Sequence, residues 1–175
     1  SNALYSRGDI AIAGYTPLQL NTSNYSAVEL QNANFTVEQL TGGDYSKEEI
    51  ASAGYSAEDL REAEYSAEDL RLANYTIVDL SDGGYLRADI ASAGYSVDAL
   101  KNAEYSATEL QNANYTVEDL SGSFTRNEIA NGGYPISDLY DASFTIVDLS
   151  DSGVFTRNDI VGAGYSAIDL KSGGY

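Results

Sequence analysis

Apolar side chains recur along this chain at a fixed interval. An aromatic ring stands at every tenth position from Tyr5 through Tyr115, and Phe124, Tyr134, Phe144, Phe155, Tyr165 and Tyr175 continue the series with one residue lost and one gained. Midway between successive rings stands a Leu or Ile, as at Leu20, Leu30, Leu40 and Ile50. A fixed internal period means one supersecondary unit copied along a line. Counting the aromatic as the first position, the second is Ser or Thr in 15 of 17 complete units, with Leu86 and Pro135 as exceptions. The fifth is Asp, Glu or Gln in every unit except the one holding Ala99. Ser or Thr followed three residues later by an acid or amide is a capping box, the mark of a helix start, and 14 of the 17 units carry both halves.

Tyr55 then precedes the N-cap Ser56, and Leu60 is the fourth helical residue, the spacing of a hydrophobic staple. Fifteen of the 16 glycines fall shortly before an aromatic, where a left-handed residue ends a helix without steric cost. That cap brings the next ring, Tyr65, onto the same Leu60, so each aliphatic is held from both sides. Pro17 sits at a first helical position, where its missing N–H costs nothing. The ninth position is nearly always Ala, Gly or Ser, as at Ala33, Gly43 and Ala53, which predicts the close approach of an adjacent helix. Helices of about two turns cannot survive alone in water, so stability must come from stacking. The pattern predicts an all-α solenoid of short two-turn helices, one per ten residues.

The same spacing also suits a β fold. Apolar residues every five positions with Ser or Thr after the ring, as in Ala33, Asn34, Phe35 and Thr36, resemble pentapeptide-repeat proteins, which coil as a right-handed β-helix. That fold wants a small inward residue two places before each central apolar one. Glu38, Glu48, Glu58, Glu68, Asp98 and Glu118 stand there instead, and burying them unpaired would be costly. Helix is therefore favoured over β-helix. The decapeptide form at 63–70, Ala-Glu-Tyr-Ser-Ala-Glu-Asp-Leu, resembles the repeat segment of the DotG (IcmE) component of Dot/Icm type IVB secretion systems. The resemblance implies a spacer or scaffold in a bacterial envelope assembly, with a periplasmic or cell-envelope location and no active site.

A longer period runs inside the short one. Ile replaces Leu at Ile10, Ile50, Ile90, Ile129 and Ile160, and the same five units carry a cation at the third position: Arg7, Lys47, Arg87, Arg126 and Arg157. Their separations of 40, 40, 39 and 31 residues define a forty-residue higher repeat of four decapeptides, with one unit dropped from the last set. A whole number of solenoid turns in forty residues would align these cations. Two readings stand: a ridge that sets register by pairing with carboxylates on the next coil, or a ridge that binds a partner. The rings are mostly Tyr, which suggests burial with the hydroxyl reaching water; a surface-exposed binding stripe is the alternative.

Composition adds mainly exclusions. The net charge of −18 argues against a nucleic-acid-binding surface, although 20 of the 27 acids fall at the fourth or fifth position, where a helix N-terminus favours them. His, Cys, Met and Trp are absent, which removes most neutral-pH bases, thiolates and soft metal ligands. The carboxylates repeat one environment, whereas catalytic pairs need two different ones. Runs of acid and glycine at 79–84 and 148–153 match no EF-hand or glycine-rich calcium loop and read as turns; a calcium-stabilised adhesin-like segment is the third and weakest reading. Residues 1–3 precede the first repeat and read as an expression scar, and 4–175 as a single repeat array cut from a longer protein. No cofactor, metal, nucleic acid or membrane insertion is expected. The expected function is a non-catalytic spacer or protein-interaction scaffold, engaging a protein partner or a second copy. The alternative is an acidic β-helix that mimics DNA and occupies a DNA-processing enzyme.

Overall fold

A computed structural model describes residues 6–174, so residues 1–3, read as a scar, lie outside the described part. The chain divides into two compact units, Ser1–Gly94 and Tyr95–Tyr175. The first holds α1 (Arg7–Ala11), α2 (Pro17–Thr22), α3 (Ala27–Asn32), α4 (Val37–Thr41), α5 (Lys47–Ala51), α6 (Ala57–Glu62), α7 (Ala67–Leu72), α8 (Ile77–Asp82) and α9 (Arg87–Ser92). The second holds α10 (Val97–Asn102), α11 (Ala107–Asn112), α12 (Val117–Leu120), α13 (Arg126–Ala130), α14 (Ile136–Asp141), α15 (Ile146–Ser152), α16 (Arg157–Gly162) and α17 (Ala167–Ser172). One short helix per decapeptide is the predicted all-α solenoid.

The helix starts are those the sequence predicts. Fourteen capping boxes close, and the exceptions are α9 and α14, whose Leu86 and Pro135 offer no oxygen, and α10, where Ser96 caps but Ala99 has nothing to return. At the other end the Tyr65 N–H donates to the Leu60 carbonyl and the Glu64 N–H to the Arg61 carbonyl, each at 3.0 Å, which is a Schellman closure. The left-handed residue of that closure is often not glycine. Asn24, Asn34, Asp44, Glu64, Asn74, Glu104, Asn114 and Ser143 all have φ near +60°, a conformation Asn and Asp tolerate best after glycine.

Several glycines instead relieve crowding one place earlier. A Cβ on Gly43 would lie 2.5 Å from the Cβ of Pro17, and one on Gly83 would lie 2.6 Å from that of Ala57. The close approach predicted at the ninth position is therefore made by the first residue of the helix two units back. Within each unit, helices accordingly stack on the next but one: α1 on α3, α3 on α5, α5 on α7, α7 on α9 and α6 on α8 in the first, α11 on α13 and α13 on α15 in the second. Two decapeptides complete one turn, and each unit has as its core its own file of central aliphatics, Leu20 through Ile90 in the first and Leu100 through Leu149 in the second, all but sealed from solvent.

The β-helix alternative is overturned. No strand occurs among the described residues, and Glu38, Glu48, Glu58, Glu68, Asp98 and Glu118 all lie exposed on helix first turns, where solvent and the macrodipole favour a carboxylate. Hydroxyls expected to reach water also behave otherwise. Those of Tyr45 and Tyr55 donate to the carbonyls of Tyr25 and Phe35, and those of Tyr75 and Tyr85 to the carbonyls of Tyr55 and Tyr65. In the second unit Tyr115, Tyr134 and Tyr165 donate to Tyr95, Tyr115 and Phe144. Each bond joins one turn to the next. Burial raises the phenol pKa, to about 12 for Tyr55, Tyr85 and Tyr134.

Candidate interaction surface

The cation positions open helices. Arg7, Lys47 and Arg87 are the first residues of α1, α5 and α9, four units apart and therefore on one row of the first unit. Arg126 and Arg157 open α13 and α16 in the second unit. These are only three units apart, so Arg157 falls on the alternate row, and the expected single alignment does not extend to it.

Three of these cations make closely similar contacts with the repeat one turn on. The Arg7 guanidinium lies 4.0 Å above the Tyr25 ring, donates to the Asn24 carbonyl at 2.7 Å and pairs with the Glu29 carboxylate. Arg126 lies 4.8 Å above the Phe144 ring, donates to the Ser143 carbonyl at 2.9 Å and meets Asp148 at 3.0 Å. Lys47 sits 4.8 Å above the Tyr65 ring and 3.4 Å from Asp69. Ring face, capping-box carboxylate and the carbonyl just before the ring thus form one slot. Its carboxylate keeps the N-cap while gaining a cation: the Arg7 hydrogen bond, with the Ser26 N–H, holds the Glu29 carboxyl down at about 2. The Asp148 carboxyl is pushed up by burial, but its bonds to Thr145 and Arg126 win and leave it lowered.

Lys101 occupies a fourth such slot, which the periodicity does not reveal. It lies in the last turn of α10, yet its ammonium stands 4.4 Å above the Phe124 ring, 2.6 Å from the Ser123 carbonyl and 3.1 Å from Glu128. A cation in the last turn suits the helix macrodipole, which explains its place on α10 but not its target, since only the twenty-residue turn brings α13 within reach. Arg61 and Arg71, likewise in the last turns of α6 and α7, donate across one turn to the Gly83 and Ala93 carbonyls. These arginines satisfy carbonyls left open where the helix one turn on ends.

Beyond the slots the surface carries little chemistry. Among the described residues no three acids converge to hold a metal ion, and no helix is long and apolar enough to cross a membrane. Tyr140, the one aromatic off the ladder, packs edge-on against Tyr165 at 4.8 Å.

Stacked short helices, repeated caps and bonds from turn to turn define a helical repeat protein. Residues 4–76 and 54–123 match the decapeptide repeat region family, together well over half of the chain, and the protein belongs to that family. No curated protein and no solved structure matches the chain.

Proposed function

We propose that this chain is a non-catalytic structural element, a spacer that doubles as a protein-interaction scaffold. The observation that supports the reading is the repetition itself: fourteen helices spend an acid or amide on a capping box, and ring hydroxyls and cations go again and again to the neighbouring turn. Side chains committed in the same way at every turn serve length and surface, whereas catalysis needs unlike groups converging at one place. The likeness of the decapeptide to the DotG repeat segment supports assigning such a spacer to a bacterial secretion or envelope assembly. The DNA-mimic alternative needed a β-helix to carry it and falls with that fold.

A spacer must tolerate changes of length by whole turns. Deleting residues 46–65 removes two decapeptides and keeps the tyrosine hydroxyls in register with their carbonyls. Deleting 46–50 alone removes the Ser46 cap and the central Ile50 and leaves the Tyr55 hydroxyl out of register with the Phe35 carbonyl. Circular dichroism with urea unfolding should show the first variant folded, with cooperative loss of helix, and the second markedly less stable. Collapse of helical signal in the twenty-residue deletion would refute the reading.

A further inference from the structure

The slot filled by Arg7, Lys47, Lys101 and Arg126 recurs where the chain supplies no cation. In the first unit the residue equivalent to Arg7 is Val37, which opens α4 and is buried, 2% exposed. Across from it lie the Tyr55 ring and Asp59, the equivalents of Tyr25 and Glu29. A cavity of about 330 Å³ remains between them, edged also by Glu38 and Glu62. The second unit repeats the arrangement: Val117 opens α12, and a cavity of about 430 Å³ is bounded by Tyr134, Asp138, Glu118 and Asp141. No Lys or Arg lines either cavity, nor a third of about 600 Å³ beside Ile146, where Tyr140 already packs on the Tyr165 ring. Where Lys47 reaches over to Asp69, by contrast, only about 50 Å³ is left.

We propose that each of these two open slots, on its own unit, docks a basic side chain of a polypeptide partner, an extended segment presenting Arg or Lys. The claim rests on the scaffold reading and gives its partner a chemistry. Four internal examples on this chain show what such a slot holds: a cation stacked on the ring and paired with the capping-box acid. The open slots keep ring and acid and add two further carboxylates each, so they offer more negative charge than the filled ones. The net charge of −18 draws a basic segment toward the surface and repels nucleic acid. Arg fits better than Lys, because a planar guanidinium can stack on the ring while its edge meets the carboxylate.

The test uses the whole chain and a Gly/Ser peptide carrying two arginines, at about 0.15 M salt so that diffuse attraction is screened. Tyrosine ring resonances are followed by NMR. Those of Tyr55 and Tyr134 should shift saturably, while Tyr25, whose slot Arg7 already fills, stays in place. Replacing the slot acids, Asp59→Gln with Asp138→Gln, should weaken binding roughly tenfold, the size of a lost charge-assisted contact. Gln already caps α2 and α4 through Gln19 and Gln39, so the fold survives the change. Asp44→Asn with Glu104→Asn removes the same charge away from the slots and should leave affinity unaltered. Equal weakening in both pairs, or shifts spread over all tyrosines, would mean diffuse attraction and overturn the proposal. Spermine moving the same two resonances at lower concentration than the peptide would overturn the polypeptide assignment. Absence of any shift would overturn the slots alone, because the spacer reading is decided separately by the whole-turn deletion.

Discussion

The two units solve the same packing problem under different constraints. In Ser1–Gly94 the ring spacing never slips. In Tyr95–Tyr175 it loses a residue before Phe124 and gains one, Val154, before Phe155. The slips are absorbed where helices end. The four-residue α12 closes with the Phe124 N–H on the Leu120 carbonyl at 2.8 Å, one residue tighter than the Schellman closures elsewhere. At the gained residue α15 extends to seven and stops on Gly153, at φ 72°. Meanwhile the bond from hydroxyl to carbonyl spans 20 residues at Tyr55, 19 at Tyr134 and 21 at Tyr165. What persists between the units is therefore the contact from turn to turn, and the count of ten is only its commonest means.

Removing a central aliphatic should have the largest effect and tests whether the slips loosened the second unit. Leu60 and Leu139 are both 0% exposed, so Leu60→Ala and Leu139→Ala should each cost about 2–5 kcal/mol in urea unfolding. A much smaller cost at Leu139 would mean that the slipped unit packs less tightly. Next in size is Gly83→Ala, at about 1–3 kcal/mol, because its Cβ would press on Ala57 at 2.6 Å. A methyl added to Gly122, at the slip, would meet nothing within 4 Å, and Gly122→Ala should be close to neutral in the same assay.

Each unit also has a helix without a side-chain cap, so repair should work equally in both. Leu86→Thr on α9 and Pro135→Ser on α14 would present a hydroxyl to the N–H of Asp89 and Asp138 and should raise stability by about 1 kcal/mol each. A gain confined to one unit would show that the repeats are less equivalent than their geometry. Smallest is the loss of one hydroxyl. Tyr55→Phe and Tyr134→Phe should each cost about 0.5–1.5 kcal/mol, whether the bond spans 20 residues or 19. The same phenols give an alkaline signature. Their folded pKa of about 12 lies above the ordinary value of about 10, so their contribution is complete below that lower value. It is lost as pH rises from about 10 through 12, so the helical signal of the wild type should hold in milder alkali and fall in that interval.

The helix starts were legible residue by residue, because a capping box lies within four positions and involves only local bonds. The closure that returns the Tyr65 N–H to the Leu60 carbonyl was legible for the same reason. The twenty-residue turn was not, since nothing inside one decapeptide distinguishes a neighbour at n+1 from one at n+2. Its traces were present in Gly43 and Gly83, small where Pro17 and Ala57 approach, but small residues before an aromatic also read as helix stops. Tyr over Phe carried the remaining signal. A hydroxyl retained on a buried ring needs a partner, and only the stacking supplies the carbonyl. Among the cations, Arg7 and Lys47 stood out by recurrence, whereas Lys101 could be assigned to its slot only after the turn was known.

Because the tyrosine hydroxyls that join the turns donate to main-chain oxygens, no substitution at the receiving residue can abolish the acceptor. Phe35 serves Tyr55 as well as Tyr25 serves Tyr45. A gene encoding such a chain can consequently duplicate or lose a stretch worth one full turn without stranding a donor, so that growth by copying is tolerated by the protein from the outset.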